Sequence, residues 1–392
     1  MRVVVVGGGF GGLAVAKWLR HFLGPGSLSI TVVDWLPDMV FRPDLVHALD
    51  WHSLTIARRT RLPRSSLLRR LRVQDRRDAV VHIDAAARIV HLAATEPLPY
   101  DVLFLAPGHE SAWDAIPGLD ASIGGVCEPY LARHTAVWRR AWTGGSVLFF
   151  AGPILGASGW NPAPMVSDEY PMLEALLLFE GSLRQAGQRD VSRLTVMTPA
   201  HDVAESAGAA ARERLRELFH QRGIAVITDA HPLRIEHGTV VLRSGRDVVF
   251  DQAVIVPPYR GCAWLQTSGL ADAYGWVPVT AYGQHPAYPE VYAVGDIVGR
   301  PWPRLGHAAM VQARVAVTHF VSVLEKRRAP APYRPALAWI CEIGQAQGLF
   351  VLNDQYWGGS RNILLQGCLP TVVKRVFSSV YRYRAGNLPV MP

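Results

Sequence analysis

The chain has 392 residues, of which 49% are hydrophobic and 18% charged. This balance is typical of a well-buried globular protein and excludes a disordered or collagen-like one, and the length predicts two or more domains. The formal net charge of +8 comes almost entirely from arginine, since lysine occurs only at 17, 326 and 374, and it indicates nucleic acid, anionic lipid or an anionic cofactor as a partner.

Three further observations narrow the class of protein. Four scattered cysteines without a CxxC pair argue against a secreted disulfide scaffold. No apolar run approaches the about 18 residues that a membrane-spanning helix needs, so integral insertion is not expected. The chain opens directly on MRVVVVGGG, which predicts no signal peptide. We therefore expect a multi-domain α/β protein on the cytoplasmic side of a membrane.

The first 34 residues contain the strongest local pattern. A β-branched run at 2–6 predicts a buried parallel strand, and the glycine-rich segment GGGFGG follows it at 7–12. A helix over 13–23 and a second strand over 28–33 come next, and the strand ends in Asp34. Strand, glycines, helix, strand and acid in this order form a βαβ unit that is typical of dinucleotide binding.

Each glycine of this unit has a predicted role. Gly7 permits a tight turn, Gly9 lets the backbone approach a pyrophosphate, and Gly12 lets helix and strand pack closely. The helix N-terminus offers free N–H groups to the phosphates, while Asp34 can accept hydrogen bonds from ribose hydroxyls. The neighbouring residues expected at the cofactor are Phe10, Gly11 and Trp35.

Two later segments indicate that the dinucleotide is FAD. A strand over 102–105 ends in Ala-Pro-Gly, and the run VYAVGD at 291–296 ends in an aspartate suited to the ribityl chain. A helix is predicted over 307–324, with its N-terminus facing the flavin pyrimidine ring. A single FAD domain would thus be assembled from both ends of the chain. The residues expected at the cofactor here are Ala106, Pro107, Gly108, Gly295, Asp296, Leu305 and Gly306.

GGGFGG, YDVLFLAPG and VYAVGD, in this order and spacing, resemble the FAD-dependent pyridine nucleotide-disulfide reductase superfamily. The stretch from Phe41-Arg42-Pro43 to Trp51 resembles a segment near the flavin in its sulfide:quinone oxidoreductases and type II NADH dehydrogenases. The resemblance implies an α/β fold with two Rossmann-like domains, the second inserted in the first, and it places Arg42 at the cofactor. We expect a FAD domain over 1–115 and 268–330, a degenerate dinucleotide fold over 116–267, and a membrane-facing or dimer-forming segment over 331–392.

The middle of the chain contains the segments that distinguish NADH from sulfide as the electron donor. The strand at 145–151 is followed by GPILGASG, whose glycines do not have the GxGxxG spacing. The next strand, 193–197, does not end in an acid, so a nicotinamide cradle is poorly supported. The turn resembles that of sulfide:quinone oxidoreductases, which bind no NAD.

The resemblance to sulfide:quinone oxidoreductases implies that cysteine thiols take part in sulfide oxidation. Cys127, in a GVC segment, resembles the first family cysteine, and Cys341 resembles the third. The second is absent, because Gly159 stands after GAS. Three alternatives stay open: Cys127 and Cys341 form the working pair, Cys127 tethers the flavin, or all four cysteines are inert core thiols.

Glu174 is the third predicted catalytic residue. It lies in PMLE, which resembles the PAYE that opens a helix in the family, here expected over 172–185. Glu174 would face the interdomain crevice and relay protons to a quinone. The alternative is an ordinary first-turn glutamate favoured by the helix dipole.

The last helix, opened by Pro370-Thr371, carries an apolar stripe, with basic residues on its other faces. The pattern suits the surface of an anionic membrane leaflet, or else an amphipathic core helix. The stripe consists of Val373, Val376, Phe377 and Val380, the basic residues are Lys374, Arg375, Arg382 and Arg384, and the candidates for a quinone mouth are Phe350, Tyr356 and Trp357.

Nine arginines lie between 58 and 77. Without a recognised nucleic-acid module, they indicate a solvated helical face or lipid contact, and we expect no nucleic-acid partner. The histidines show no metal-ligand spacing, so no metal is predicted.

Taken together, the sequence predicts a peripheral membrane flavoprotein of the sulfide:quinone oxidoreductase type. It would pass two electrons from sulfide or another small reductant, through cysteine thiols and FAD, to a membrane quinone. The expected further partners are an anionic lipid surface and a second copy of the chain. The alternatives are a type II NADH:quinone oxidoreductase and a flavin-holding partner protein that has lost sulfide turnover.

Overall fold

The computed structural model describes residues 1–26, 28–49, 55–120, 122–164, 166 and 168–384, with the backbone alone at 57. Trp51, the end of the stretch expected near the flavin, lies outside the described residues. The strands β1 to β22 are, in chain order, Arg2–Val6, Ser29–Asp34, Asp38–Val40, Arg61–Pro63, Gln74–Arg77, Val80–Asp84, Ile89–Leu92, Leu98–Pro99, Val102–Leu105, Glu110–Ser111, Gly145–Ala151, Ser192–Met197, Ile224–Ile227, Pro232–Glu236, Thr239–Leu242, Asp247–Val249, Gln252–Val256, Tyr259–Arg260, Val291–Ala293, Leu337–Gly344, Gln347–Asn353 and Asn362–Gly367. The α-helices α1 to α9 are Phe10–Leu23, Ile56–Arg59, Arg64–Arg70, Pro129–Ala141, Tyr170–Gln185, Ala209–Gln221, Ala263–Thr267, Gly306–Leu324 and Cys368–Tyr383.

A five-stranded parallel sheet combines strands from both ends of the chain. Its order is β19-β9-β1-β2-β5, and helices α1 and α8 pack against each other beside it. Val3 to Val6 of β1 are buried, as expected of a parallel strand covered on both faces. The sheet brings the glycine-rich turn after β1, the Ala-Pro-Gly turn after β9 and the Gly-Asp turn after β19 to one edge.

A second parallel sheet has the order β13-β12-β11-β17. Helix α5 follows β11 and buries Leu173, Leu176 and Phe179 in a core that continues to the C-terminal strands. The fold is therefore mixed α/β with two parallel sheets. The domain boundaries given above stay predictions.

The C-terminal region contains three strands that the sequence did not predict. Strands β20, β21 and β22 form an antiparallel sheet, and α9 packs on it. Leu337, Trp339 and Cys341 of β20 share one core with α5. Helices α5 and α9 therefore both pack against β20, and both border one large cavity.

The arginine-rich segment does not form a single helical face, which was one of its two expected forms, and lipid contact stays a prediction. The segment forms the short helices α2 and α3 and the strands β4 and β5, over which most of its arginines are distributed. Arg64 is fully buried and pairs with Asp75 and Asp34. Within the part of the chain that the structure describes, no helix is long and apolar enough to cross a membrane.

Candidate functional site

A cavity of about 910 Å³ lies between the carboxyl ends of the first sheet, the start of α5 and the inner side of α9. Its volume is in the range of sites that hold an organic cofactor together with a small ligand. Thirteen of the fifteen residues expected at the cofactor line it: Gly9, Phe10, Gly11, Asp34, Trp35, Arg42, Ala106, Pro107, Gly108, Gly295, Asp296, Leu305 and Gly306.

The two remaining glycines, Gly7 and Gly12, do not line the cavity but determine the shape of the turn. A Cβ atom on Gly7, whose φ is +101°, would lie 2.1 Å from the carbonyl oxygen of Ala106. A Cβ atom on Gly12 would lie 1.8 Å from the carbonyl oxygen of Gly7, whereas one on Gly9 would meet nothing within 4 Å. The contacts at Gly7 and Gly12 leave no room for a side chain, so only glycine fits at these positions. At Gly9 the missing side chain leaves the backbone open toward the cavity. This geometry fits a dinucleotide pyrophosphate at the N-terminus of α1.

Gly12→Ala is expected to abolish retention of the cofactor, because the added methyl group would displace the turn that forms the phosphate cradle. The flavin-to-protein ratio of the purified protein measures this loss. Gly26→Ala is the matched control, since a Cβ atom there meets nothing within 4 Å. A Gly12→Ala protein with the wild-type flavin ratio would contradict the assignment of the cradle.

Asp34 is held by partners that the sequence did not reveal. Its Oδ2 accepts a hydrogen bond from the backbone N–H of Gly8 at 2.6 Å, and its Oδ1 accepts one from Leu36 at 2.8 Å. Arg64 lies 3.8 Å from the carboxylate and donates to Asp75 at 2.8 Å. The carboxylate is thereby fixed beside the glycine turn, with lone pairs left for ribose hydroxyls.

Asp296 lies at the opposite end of the cavity from Asp34, in the turn after β19. Its Oδ2 lies 3.2 Å from Nδ1 of His109, whose ring stacks on that of Tyr259 with the centroids 3.6 Å apart. Burial alone would raise the pKa of Asp296, but the hydrogen bond and charge of His109 and the charges of Arg304 and Arg42 outweigh burial and lower it. The ionised carboxylate suits a hydroxyl donor such as the ribityl chain.

The two cysteines expected to act together have different surroundings. Cys127 lines the cavity, and burial raises the pKa of its thiol to about 12. Cys341 is fully buried in the core shared with α5 and is not among the residues that line the cavity. All four cysteines are free thiols. A working pair of Cys127 and Cys341 stays a prediction, to which the cavity contributes Cys127 alone.

Glu174 also lines the cavity and forms a buried ion pair that sequence analysis missed. Nζ of Lys374, from α9, contacts both carboxylate oxygens of Glu174, and the backbone N–H of Glu342 donates to Oε1 at 2.9 Å. Burial raises the pKa of Glu174 and the charge of Lys374 opposes that rise, but the pKa stays above its usual value. Lys374 lies on the buried side of α9, which the sequence, in placing it on a face beside the apolar stripe, did not predict.

The aromatic residues considered for a quinone mouth separate into two groups. Phe350 lines the large cavity, while Tyr356 and Trp357 line a smaller cavity next to it. Val373 of α9 lines the large cavity and is 45% exposed, so the cavity reaches the surface beside α9.

The corresponding turn of the second parallel sheet is closed at its first glycine. A Cβ atom on Gly152 would lie 2.6 Å from the backbone nitrogen of Pro258, so this glycine contacts protein and not open space. Helix α5 begins after Glu169, which is 2% exposed. Its carboxyl group does not cap α5 but accepts a hydrogen bond from the backbone N–H of Ala204 at 2.7 Å.

Comparison with known proteins agrees with this geometry. The model of one protein family, pyridine nucleotide-disulphide oxidoreductase, matches residues 1–141 and 181–313, which is more than half of the chain. The chain belongs to this family. Membership of this family, together with the similarity to the proteins named below, identifies the protein as a FAD-dependent oxidoreductase.

Two relatives within the pyridine nucleotide-disulphide oxidoreductase family cover most of the chain. The sulfide-quinone reductase of Aquifex aeolicus (strain VF5) is 24% identical over 414 residues, which span 100% of this chain and 92% of that protein. Ferroptosis suppressor protein 1 of Taeniopygia guttata is 24% identical over 374 residues, 91% of this chain and 90% of that protein. The crystal structure of the sulfide:quinone oxidoreductase from Aquifex aeolicus has the same fold, with a TM-score of 0.88, 21% identity and coverage of 100% and 92%.

Proposed function

We propose that the protein is a peripheral membrane quinone reductase of the sulfide:quinone oxidoreductase type. The observation that carries this proposal is the buried Glu174–Lys374 pair, which lies in the cavity wall directly inside α9. The family assignment and the names of the relatives support the same reaction class. Bound FAD would accept two electrons from the donor and pass them to the quinone.

Reduction of a quinone to a quinol consumes two protons as well as two electrons, so the quinone end of the cavity needs a proton source. The ammonium group of Lys374 would donate one proton to a quinone oxygen and become a neutral amine. Glu174, ionised in the pair, would then take up a proton from solvent and pass it to Nζ, which restores the ammonium group for delivery of the second proton. Both carboxylate oxygens of Glu174 contact Nζ, so the proton would move within an existing contact. Positioned general acids of this kind typically accelerate a reaction by roughly 10²- to 10⁴-fold.

Helix α9 would bring this end of the cavity to the lipid. Its buried positions are mostly polar, namely Thr371, Lys374, Ser378 and Tyr381, whereas its exposed positions include Leu369, Val372, Val373 and Val376. On strand β22, Ile363 and Leu365 add 42% and 54% exposed side chains. We refer to Leu369, Val372, Val373, Val376, Ile363 and Leu365 as the outer apolar face. An apolar face flanked by arginines suits the surface of an anionic bilayer.

We assign the donor side to Cys127. Its thiol and one hydrogen sulfide would form a persulfide while bound FAD takes up the two electrons and two protons released, and a second hydrogen sulfide would then remove the outer sulfur as hydrogen disulfide and regenerate the thiol. The thiol of Cys127 lies in the cavity, close to Arg42 and Tyr259, whose contributions lower its pKa against the larger effect of burial. A nicotinamide nucleotide is the second candidate donor, because hydride transfer needs no thiol and Cys341 lies outside the cavity wall. The closed turn at Gly152 argues against it.

An anaerobic titration of the purified yellow protein decides between the donors. Sulfide should bleach the visible flavin band, and a soluble quinone should restore it. In the Cys127→Ser variant, bleaching by sulfide should be lost while the flavin content is unchanged. Bleaching by NADH and not by sulfide would contradict sulfide as the donor and leave quinone reduction intact. A flavin that neither compound bleaches would favour a flavin-holding partner protein.

The cytoplasmic side of the membrane and a homo-oligomeric state stay predictions. Vesicle binding and light scattering of the detergent-solubilised protein test them separately from turnover.

A further inference from the structure

A second cavity, of about 70 Å³, adjoins the flavin cavity and has no role in the proposed reaction. Asp168, Tyr170, Arg304 and Leu305 line both cavities, so a single layer of side chains separates them. We refer to the smaller space as the side cavity.

Carboxyl groups dominate the polar lining of the side cavity. Asp168, Glu169 and Glu205 line it, and Arg304 is the one cationic side chain among the described residues of its wall. Burial raises the pKa of both Asp168 and Glu169 to about 8. These surroundings therefore disfavour the ionised form of Asp168 and Glu169 unless a cation lies beside them.

Glu169 has one carboxylate oxygen without a partner. Its Oε1 accepts a hydrogen bond from the backbone N–H of Ala204 at 2.7 Å. Its Oε2 is buried and has no hydrogen-bond partner among the described residues, and the whole residue is 2% exposed. An unpaired buried acceptor destabilises the fold, and a ligand that donates a hydrogen bond to it would remove this cost.

Arg304 does not supply that hydrogen bond. Its guanidinium group lies over the rings of Trp160 and Trp276, 4.9 and 4.8 Å from their centroids. It also donates to the carbonyl oxygens of Val298 and Trp302. Its position is thus fixed by interactions other than the carboxyl group of Glu169.

The remaining wall is aromatic. Trp302, Tyr356 and Trp357 line the side cavity, and Nε1 of Trp357 donates to the carbonyl oxygen of Pro301, which fixes its ring. Aromatic faces attract ammonium and guanidinium groups. Metal ions prefer clusters of side-chain ligands, and the described residues contain no group of three or more His, Cys, Asp or Glu that could hold one.

We propose that the side cavity binds a small organic cation through an ammonium group. An N–H of the ligand would donate to Oε2 of Glu169, its charge would neutralise the carboxylates, and the rings of Trp302, Tyr356 and Trp357 would enclose its alkyl part. The volume limits the ligand to a few heavy atoms. This site is independent of the quinone reductase function.

Isothermal titration of the FAD-loaded protein with methylammonium chloride tests the proposal. We expect saturable binding of methylammonium, and none of potassium chloride or of methanol, the neutral counterpart. Glu169→Gln should weaken methylammonium binding about tenfold or more, because it removes the charged acceptor. Glu217→Gln, a half-exposed glutamate on α6, should leave the affinity unchanged.

Three outcomes would overturn the proposal: equal binding of potassium ion, equal binding of methanol, or an unchanged affinity in Glu169→Gln. If Glu169→Gln does not fold, Trp357→Leu provides the second variant. It keeps all three carboxyl groups and removes an aromatic face, so unchanged affinity there would likewise exclude the site.

Discussion

Lys374→Met is expected to lower the kcat of quinone reduction by about 100-fold or more, because it removes the proposed proton donor from the cavity wall. It also leaves the carboxyl group of Glu174 buried without its cation. Breaking a buried ion pair typically costs roughly 3–5 kcal/mol in the free energy of unfolding. Steady-state turnover with a soluble quinone, and urea unfolding followed by tryptophan fluorescence, measure the two effects.

The double variant Glu174→Gln/Lys374→Met separates stability from catalysis. It removes both charges, so most of the lost stability should return, whereas activity should stay low. Lys326→Met, a lysine outside the cavity lining, is the matched control and should behave like the wild type. Wild-type turnover in the double variant would show that the pair is structural and not part of proton transfer.

Replacing Leu369, Val372 and Val376 by serine is expected to release the protein from vesicles of phosphatidylcholine and phosphatidylglycerol. These side chains are 65%, 52% and 56% exposed, and none of them lines the cavity. If each contributes about 1.5 kcal/mol on insertion into lipid, the triple variant should bind about 1,000-fold more weakly. Sedimentation with vesicles measures the bound fraction.

The control for this triple variant changes three valines elsewhere to serine. Val137, Val191 and Val249 are 56%, 58% and 71% exposed, which matches the first set. The control should bind vesicles like the wild type, and both variants should keep their flavin. If the first variant still sediments with vesicles, the outer apolar face is not the membrane contact.

Those parts of the fold that depend on local sequence could be predicted closely. The strands at 102–105 and 145–151 have the bounds that their apolar runs indicated, and α8 begins one residue before the predicted start. Gly7 and Gly12 of the first turn were predictable as well, because Gly12 is required by a backbone contact within the turn and Gly7 by one with the residue that follows the neighbouring parallel strand. Short-range geometry decides these elements.

The C-terminal sheet could not be predicted in this way. Strands β20, β21 and β22 are stabilised by hydrogen bonds to each other and by the core of α5, about 160 residues earlier in the chain. The burial of Lys374 could not be predicted for a related reason. Its partner Glu174 lies 200 residues away, and a lysine on an amphipathic helix is ordinarily on the solvent side.

The arginine-rich segment at 58–77 is a further case in which contacts between distant parts of the chain could not be predicted from the sequence. Counting charges at 58–77 predicts a polar surface, and most of these arginines do lie at the surface. Arg64 is the exception, since Asp75 and Asp34 are brought to it by two different strands. A composition-based prediction cannot identify which member of a charged run is buried.

The position of α9 has a consequence for how the protein is made. Tyr381 packs against Phe10 and Phe41, with ring centroids 5.2 and 5.0 Å apart, so the last helix closes the site that the first residues begin. During translation the glycine-rich turn leaves the ribosome before the residues of α9 that cover it. The cofactor pocket is therefore complete only when synthesis of the described chain is nearly finished, and a nascent chain stalled before residue 368 would expose the pocket to solvent.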